Sequence, residues 1–178
     1  MPRYALLLRA VNLGSHNRVA MPELRRVLAE RGYGDVATYL ASGNAVVSAD
    51  SDDPAAVGRD VEAALREAFG LDTEVLVRDH AELAAVIAGN PFPQALERPT
   101  SLHVVFLSHV PDPAVVAAIP HDVAAPDELR FAGRHVYLRY EHGAGRSKLG
   151  PALFKRLDVV ATARNWNTVT ALARMTAA

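Results

Sequence analysis

Two groups of residues in this chain have the types and spacing to hold an anion. The first is Arg9, Asn12, His16, Asn17 and Arg18, with Ser42 and Asn44 on a later turn. The second is Arg146, Ser147 and Lys148, with Arg164, Asn165 and Asn167 further along. Both are rich in guanidinium, ammonium, amide and hydroxyl donors and poor in carboxylates. A guanidinium is a rigid fork of donors that matches phosphate or carboxylate oxygens. Both groups also stand at helix starts, where free N–H groups and the helix dipole favour negative charge. The same residue types populate ordinary loops, caps and solvated faces, so each group taken alone has two readings.

Other chemistries find less support. Gly143-Ala144-Gly145-Arg146-Ser147-Lys148 does not follow the order G-x-x-x-x-G-K-[ST] of a phosphate loop. The seven histidines show no H-x-H or H-E-x-x-H spacing, so no metal is expected, and His103 reads as a strand residue. Ser42 has no Ser/His/Asp constellation and reads as a turn residue. Trp166 reads as core, and Asp50, Asp52 and Asp53 as a solvated loop ending in a helix cap. No cofactor is expected. If a bond is made or broken, Arg9, Lys148 and Arg164 are the charge stabilisers available, and His16 the one nearby acid–base group.

The bulk numbers narrow the classes. Half of the 178 residues are hydrophobic and 22% are charged, as in a folded globular chain. A net charge of −1 argues against indiscriminate gripping of duplex DNA. There is no cysteine, which removes disulfides and thiolate chemistry and suits a reducing compartment. The apolar run before Arg9 is too short for a signal core or a membrane span, so no membrane is expected and the cytoplasm is the expected location.

Hydrophobic periodicity supplies the elements that must position these residues. Tyr4 to Leu8 is a buried strand, and Pro22 opens a helix that Gly32 ends. Val36 to Ala41 and Ala45 to Ser48 are strands about a tight turn at Ser42-Gly43-Asn44. Asp53-Pro54 starts a helix carrying Val57, Val61 and Leu65, and Gly70 stops it. Thr73 to Val77 is a strand, and Asp79 caps a helix. After the proline-rich 91–100, the order returns. Strands over Leu102 to Leu107, Leu129 to Phe131, His135 to Tyr140 and Val159 to Thr162 alternate with helices at Pro113 to Ile119, around Leu149, and after Asn165.

Three matches support a repeat: Arg78 with Arg164 (86 residues apart), Gly43 with Gly133 (90) and Leu6 with Val104 (98). The fold class is therefore α/β (α+β), two ferredoxin-like βαββαβ halves with mainly antiparallel sheets, each with a trailing helix. Residues 1–90 form the first half, 91–100 a linker and 101–178 the second. In such a unit the first strand's exit and the hairpin share one sheet edge, while the exits of the third and fourth strands share the other. That gathers Arg9, Asn12, Asn17, Arg18, Ser42 and Asn44 at one edge of the first half. It gathers Arg146, Ser147, Lys148, Arg164, Asn165 and Asn167 at the opposite edge of the second.

The chain also resembles a known family. Leu7-Leu8-Arg9-Ala10-Val11-Asn12-Leu13-Gly14, Asn17-Arg18-Val19, Met21-Pro22-Glu23-Leu24 and Thr38-Tyr39-Leu40-Ala41-Ser42-Gly43-Asn44 are similar to the N-terminal signature of the domain-of-unknown-function 1697 family. Asn90-Pro91-Phe92-Pro93, Gly145-Arg146-Ser147-Lys148-Leu149 and Ala163-Arg164-Asn165-Trp166-Asn167-Thr168-Val169 resemble its later signatures. The resemblance implies a bacterial protein of this fold with no established activity. Ala10 and Ser15 stand where that family usually has glycine.

These observations point first to a binding protein that holds a phosphorylated or other anionic ligand, a nucleotide or single-stranded nucleic acid, in a basic, amide-rich cleft. An enzyme acting on such a ligand is the second reading, and a structural or interaction module the third. Base stacking on an open sheet face is disfavoured, because Tyr137 and Tyr140 are an odd number of residues apart and point to opposite faces.

Overall fold

Short apolar runs, too short for helices, make the strands, and 3.6-residue periodicities make the helices between them. The computed structural model describes residues 1–120 and 122–177. In the first half the order is β1 (Arg3–Leu8), α1 (Met21–Glu30), β2 (Gly34–Thr38), β3 (Asn44–Ser48), α2 (Pro54–Phe69), β4 (Val75–Asp79) and α3 (His80–Ala88). The sheet order is β2-β3-β1-β4, with every neighbouring pair antiparallel. Helix α2 shows why these boundaries hold. Asp53 accepts the N–H of Ala55, Pro54 opens the first turn, and Gly70 closes the end at a left-handed φ of 62°. Between them Val57, Val61 and Leu65 face a core built with Leu6, Leu8, Val47 and Val77.

The second half repeats the plan with β5 (Leu102–Leu107), α4 (Pro113–Ala118), β6 (Glu128–Ala132), β7 (His135–Arg139), α5 (Leu149–Arg156), β8 (Ala161–Asn165) and α6 (Trp166–Thr176). Its sheet order is β6-β7-β5-β8, again antiparallel throughout. Each half is thus a four-stranded antiparallel sheet followed by helices, as the sequence implies. Val105, Leu107, Leu129, Val136, Leu138 and Leu153 make its core.

Both faces of each central strand are buried. In β1, Leu6 and Leu8 join the helix-side core, yet Ala5 and Leu7 on the other face are equally inaccessible. Strands buried on both faces carry no alternation to set register, and two sequence matches slip by one residue, the first for that reason and the second because the turn between β2 and β3 is longer than that between β6 and β7. Ala5 pairs with Arg78 and Val104 with Arg164, so Ala5, not Leu6, is the counterpart of Val104. Leu8 donates to the Gly43 carbonyl and Leu107 to the Arg134 carbonyl, so Arg134, not Gly133, takes the place of Gly43. The match of Arg78 with Arg164 holds.

Strand ends differ from the sequence reading in a way that matters for the site. The last strand of each half starts and ends two or three residues later than its apolar run suggests, which puts Arg78 and Arg164 inside strands. The turn between β2 and β3 spans 39–43, and Asn44 already belongs to β3. The proline-rich 91–100 folds into two 3-10 turns, Pro93–Glu97 and Pro99–Ser101, with Phe92 and Ala95 buried. By contacts, Met1–Ala85 and the segment from Thr170 onward form one compact unit, and Val86–Val169 a second. No helix among the described residues is long and apolar enough to cross a membrane.

Candidate functional site

Topology brings the first-half residues together at one sheet edge, and their hydrogen bonds show what they do there. Asn12 Nδ2 donates to the carbonyls of Val19 (2.9 Å) and Ala41 (2.6 Å), while its Oδ1 accepts the Val19 N–H (2.8 Å). Asn17 Nδ2 donates to Ala10 O at 3.1 Å. Asn44, fully buried, donates to Tyr39 O (2.9 Å) and Ser42 Oγ (3.0 Å). The amides therefore tie the loop after β1 to the loop before β3. Four residues of these loops, Ala10, Asn12, Asn17 and Leu40, hold left-handed φ angles of 51–56°, a conformation asparagine tolerates better than most residues. The Arg9 guanidinium pairs with Glu74 at 3.1 Å, and Arg18 and His16 are exposed.

In the second half Arg164 belongs to a structural pair. Arg78 and Arg164 occupy the same position of β4 and β8, both are buried, and each Nη1 donates to the carbonyl before it, Val77 O at 2.9 Å and Ala163 O at 2.8 Å. Arg164 also donates to Thr162 Oγ1 at 2.8 Å. Burial pushes its guanidinium down to about 10, so it stays charged at neutral pH. The next residue repeats too: Asp79 Oδ1 accepts the Glu82 N–H (2.8 Å) and Asn165 Oδ1 the Thr168 N–H (2.9 Å), each capping a helix. Asn167 is exposed on the first turn of α6, and Trp166 beside it is buried.

Arg146, Ser147 and Lys148 have a different setting. They follow a short 3-10 turn, Ala144–Arg146, and line an open pocket of about 590 Å³ whose other wall is the 122–127 connection. Ser147 Oγ donates to Asp127 Oδ2 at 2.5 Å and accepts the Leu149 N–H at 3.0 Å, fixing the entry to α5. Asp127 Oδ1 accepts the Glu141 N–H at 2.7 Å. Arg146 and Lys148 are exposed, and neither has a carboxylate within ion-pair distance among the described residues. Asp122 and His142 complete the polar lining. Arg164, Asn165 and Asn167 do not line this pocket. Sequence reasoning missed Asp127, Asp122 and His142, because nothing in their spacing links them to residues 146–148.

The first half has a pocket in the corresponding place, about 410 Å³, lined in part by Arg31, Tyr33 and Asp60. The paired strands β2 and β6 set Tyr33 against Asp127 and Arg31 against Ala125. Placing the buried Val57-Gly58 of α2 on Leu149-Gly150 of α5 sets Asp60 against Ala152. Here the chain satisfies its own groups. Arg31 bonds Asp60 at 2.9 and 3.0 Å and Glu67 at 2.7 Å, and Tyr33 donates to Asp60 at 2.9 Å. Burial alone would raise the Asp60 carboxyl, but the hydrogen bonds from Arg31 and Tyr33 hold it below the usual range.

The family model described as "Protein of unknown function (DUF1697)" matches residues 1–137. Nothing among curated proteins matches the chain. Among solved structures, the conserved bacterial protein SP0830 from Streptococcus pneumoniae is 22% identical with a TM-score of 0.78, the match covering 100% of this chain and 99% of that one. At that identity the likeness speaks for the fold.

Proposed function

The chain belongs to the DUF1697 family of proteins of unknown function, and from that premise we propose that it binds a phosphorylated or other anionic ligand in the pocket of Arg146, Ser147 and Lys148. One contrast carries this reading. In the first half the corresponding pocket is bridged by Arg31 and Asp60, whereas in the second half alanines stand at both positions, and among the described residues no carboxylate, Asp122 and Asp127 of the same pocket included, is within ion-pair distance of Arg146 or Lys148. Unpaired like charges repel, and an anion between them offsets that repulsion. A pocket of about 590 Å³ falls within the roughly 300–1,000 Å³ of small-molecule sites, enough for a mononucleotide or the end of a nucleic-acid single strand. Arg9 and Arg18 are exposed cations of a second, weaker surface, and Asn12, Asn17 and Asn44 build the loop that carries them.

The lack of cysteine suits a cytoplasmic location, and the streptococcal neighbour supports a bacterial origin. The repeated strand order, the paired buried arginines and the corresponding pockets support an internal duplication.

Thermal unfolding with inorganic phosphate and with AMP tests the binding. A ligand at 100 times its dissociation constant adds about 2.7 kcal/mol. Arg146→Ala combined with Lys148→Ala removes that gain and leaves unliganded stability nearly unchanged, since both side chains are exposed. Stabilisation that survives the double substitution overturns the site.

A further inference from the structure

We infer that the anion held in this pocket is the phosphate of a sugar phosphate ester, with a sugar hydroxyl donating to the Asp127 carboxylate. This rests on the anion-binding reading and adds the ligand's other half. The pocket is not uniformly basic: Arg146 and Lys148 face it together with Asp122 and Asp127. A bare anion would gain from the two cations and lose against the two carboxylates.

Asp127 cannot turn away. Its Oδ1 holds the Glu141 N–H at 2.7 Å and its Oδ2 the Ser147 hydroxyl at 2.5 Å. Each carboxylate oxygen accepts two hydrogen bonds, so an acceptor site is left on each. The group is only half-buried and lines the cavity. A ligand complementary to both walls must bring an anionic group and, a short span away, a neutral donor. Sugar phosphates, free or within a nucleotide, carry a phosphate and neutral hydroxyl donors on one small scaffold. In the first half the position of Asp127 is held by Tyr33, itself a donor, whose Oη bonds Asp60 Oδ2 at 2.9 Å beside the Arg31 guanidinium, so that pocket satisfies its carboxylate from within the chain.

Calorimetric titration of the full chain with inorganic phosphate, ribose 5-phosphate, tetrahydrofurfuryl phosphate (the same ring without hydroxyls) and AMP tests this. Ribose 5-phosphate should bind roughly tenfold tighter than the other two non-nucleotide probes, the size of a net hydrogen bond to a charged group. Asp127→Asn should erase that advantage without weakening phosphate itself. AMP as tight as ribose 5-phosphate assigns the site to nucleotides, and AMP weaker assigns it to free sugar phosphates; either supports the inference. Phosphate binding lost in the Arg146→Ala, Lys148→Ala protein, with hydroxyls adding nothing, overturns this inference alone. If no probe binds, the anion-binding reading falls with it. The hydroxyl-free probe separates these outcomes even if Asp127→Asn fails to fold.

Discussion

At Asn12 one carboxamide closes three hydrogen bonds, to both backbone groups of Val19 and to Ala41 O, while its own backbone sits at φ 54°. Alanine would leave a donor and two acceptors unpaired and take the left-handed backbone less readily. Asn12→Ala should therefore cost about 1–3 kcal/mol in denaturant titration. Asn12→Asp keeps the acceptor for Val19 N–H but sets a second carboxylate oxygen against two carbonyls, so it should be less stable than the alanine variant at neutral pH. A wild-type midpoint for Asn12→Asp would refute the latch. Ala10 illustrates the same economy: it holds a left-handed φ of 53° that glycine adopts most readily, and its carbonyl is anchored by Asn17. Lys148 and Arg146 are of another kind, since among the described residues neither side chain has a hydrogen-bond or ion-pair partner.

Among the elements, the hairpins show how unlike two similar turns can be. Gly43 has φ 84°, and a Cβ there would lie 2.4 Å from a Val11 methyl and 3.0 Å from the Leu8 carbonyl. Gly133, at φ 55°, has none of the described residues within 4 Å of that position. Gly43→Ala should cost about 2–4 kcal/mol, combining strain with overpacking, and Gly133→Ala about 1 kcal/mol from strain alone. Equal losses on thermal unfolding would show that the turns are interchangeable after all. Helix α2 carries a second prediction through Asp60, whose carboxyl is held low by Arg31 and Tyr33. A depressed carboxylate stabilises the fold above its unfolded value of about 3.9 and loses that contribution as pH falls through its folded value. Asp60→Asn should thus be less stable than wild type at pH 7, and the two stability curves should converge below about pH 4. A gap that stays constant into acid would contradict the linkage.

For the molecule as a whole, the unit that begins at Met1 is completed by the segment from Thr170. Leu172 is fully buried there, and the His80 imidazole donates to Ala173 O at 3.0 Å. A chain truncated after Val169 should lose about 2–4 kcal/mol through the buried side chains removed. Hydrogen exchange should show the loss first in residues 1–85, ahead of 86–169. Even loss across both stretches would mean that the C-terminal segment does not belong to the first unit in this sense.

By itself the sequence determined the elements and their repetition. Runs of Tyr4–Leu8 and Leu102–Leu107 can only be buried strands, Asp53-Pro54 and Gly70 bracket one helix by backbone chemistry alone, and Arg78-Asp79 and Arg164-Asn165 return in step. Those are local properties, written in propensity, capping and periodicity. Which polar residues share a pocket is not local. Asp127 meets Ser147 because the connection before β6 and the chain after β7 leave the same sheet edge. Arg164 turned from a loop cation into a buried strand residue because β8 runs three residues past its apolar run. Register in strands buried on both faces, and the partner of each charge, come from long-range pairing, and that is decided only when the sheets close.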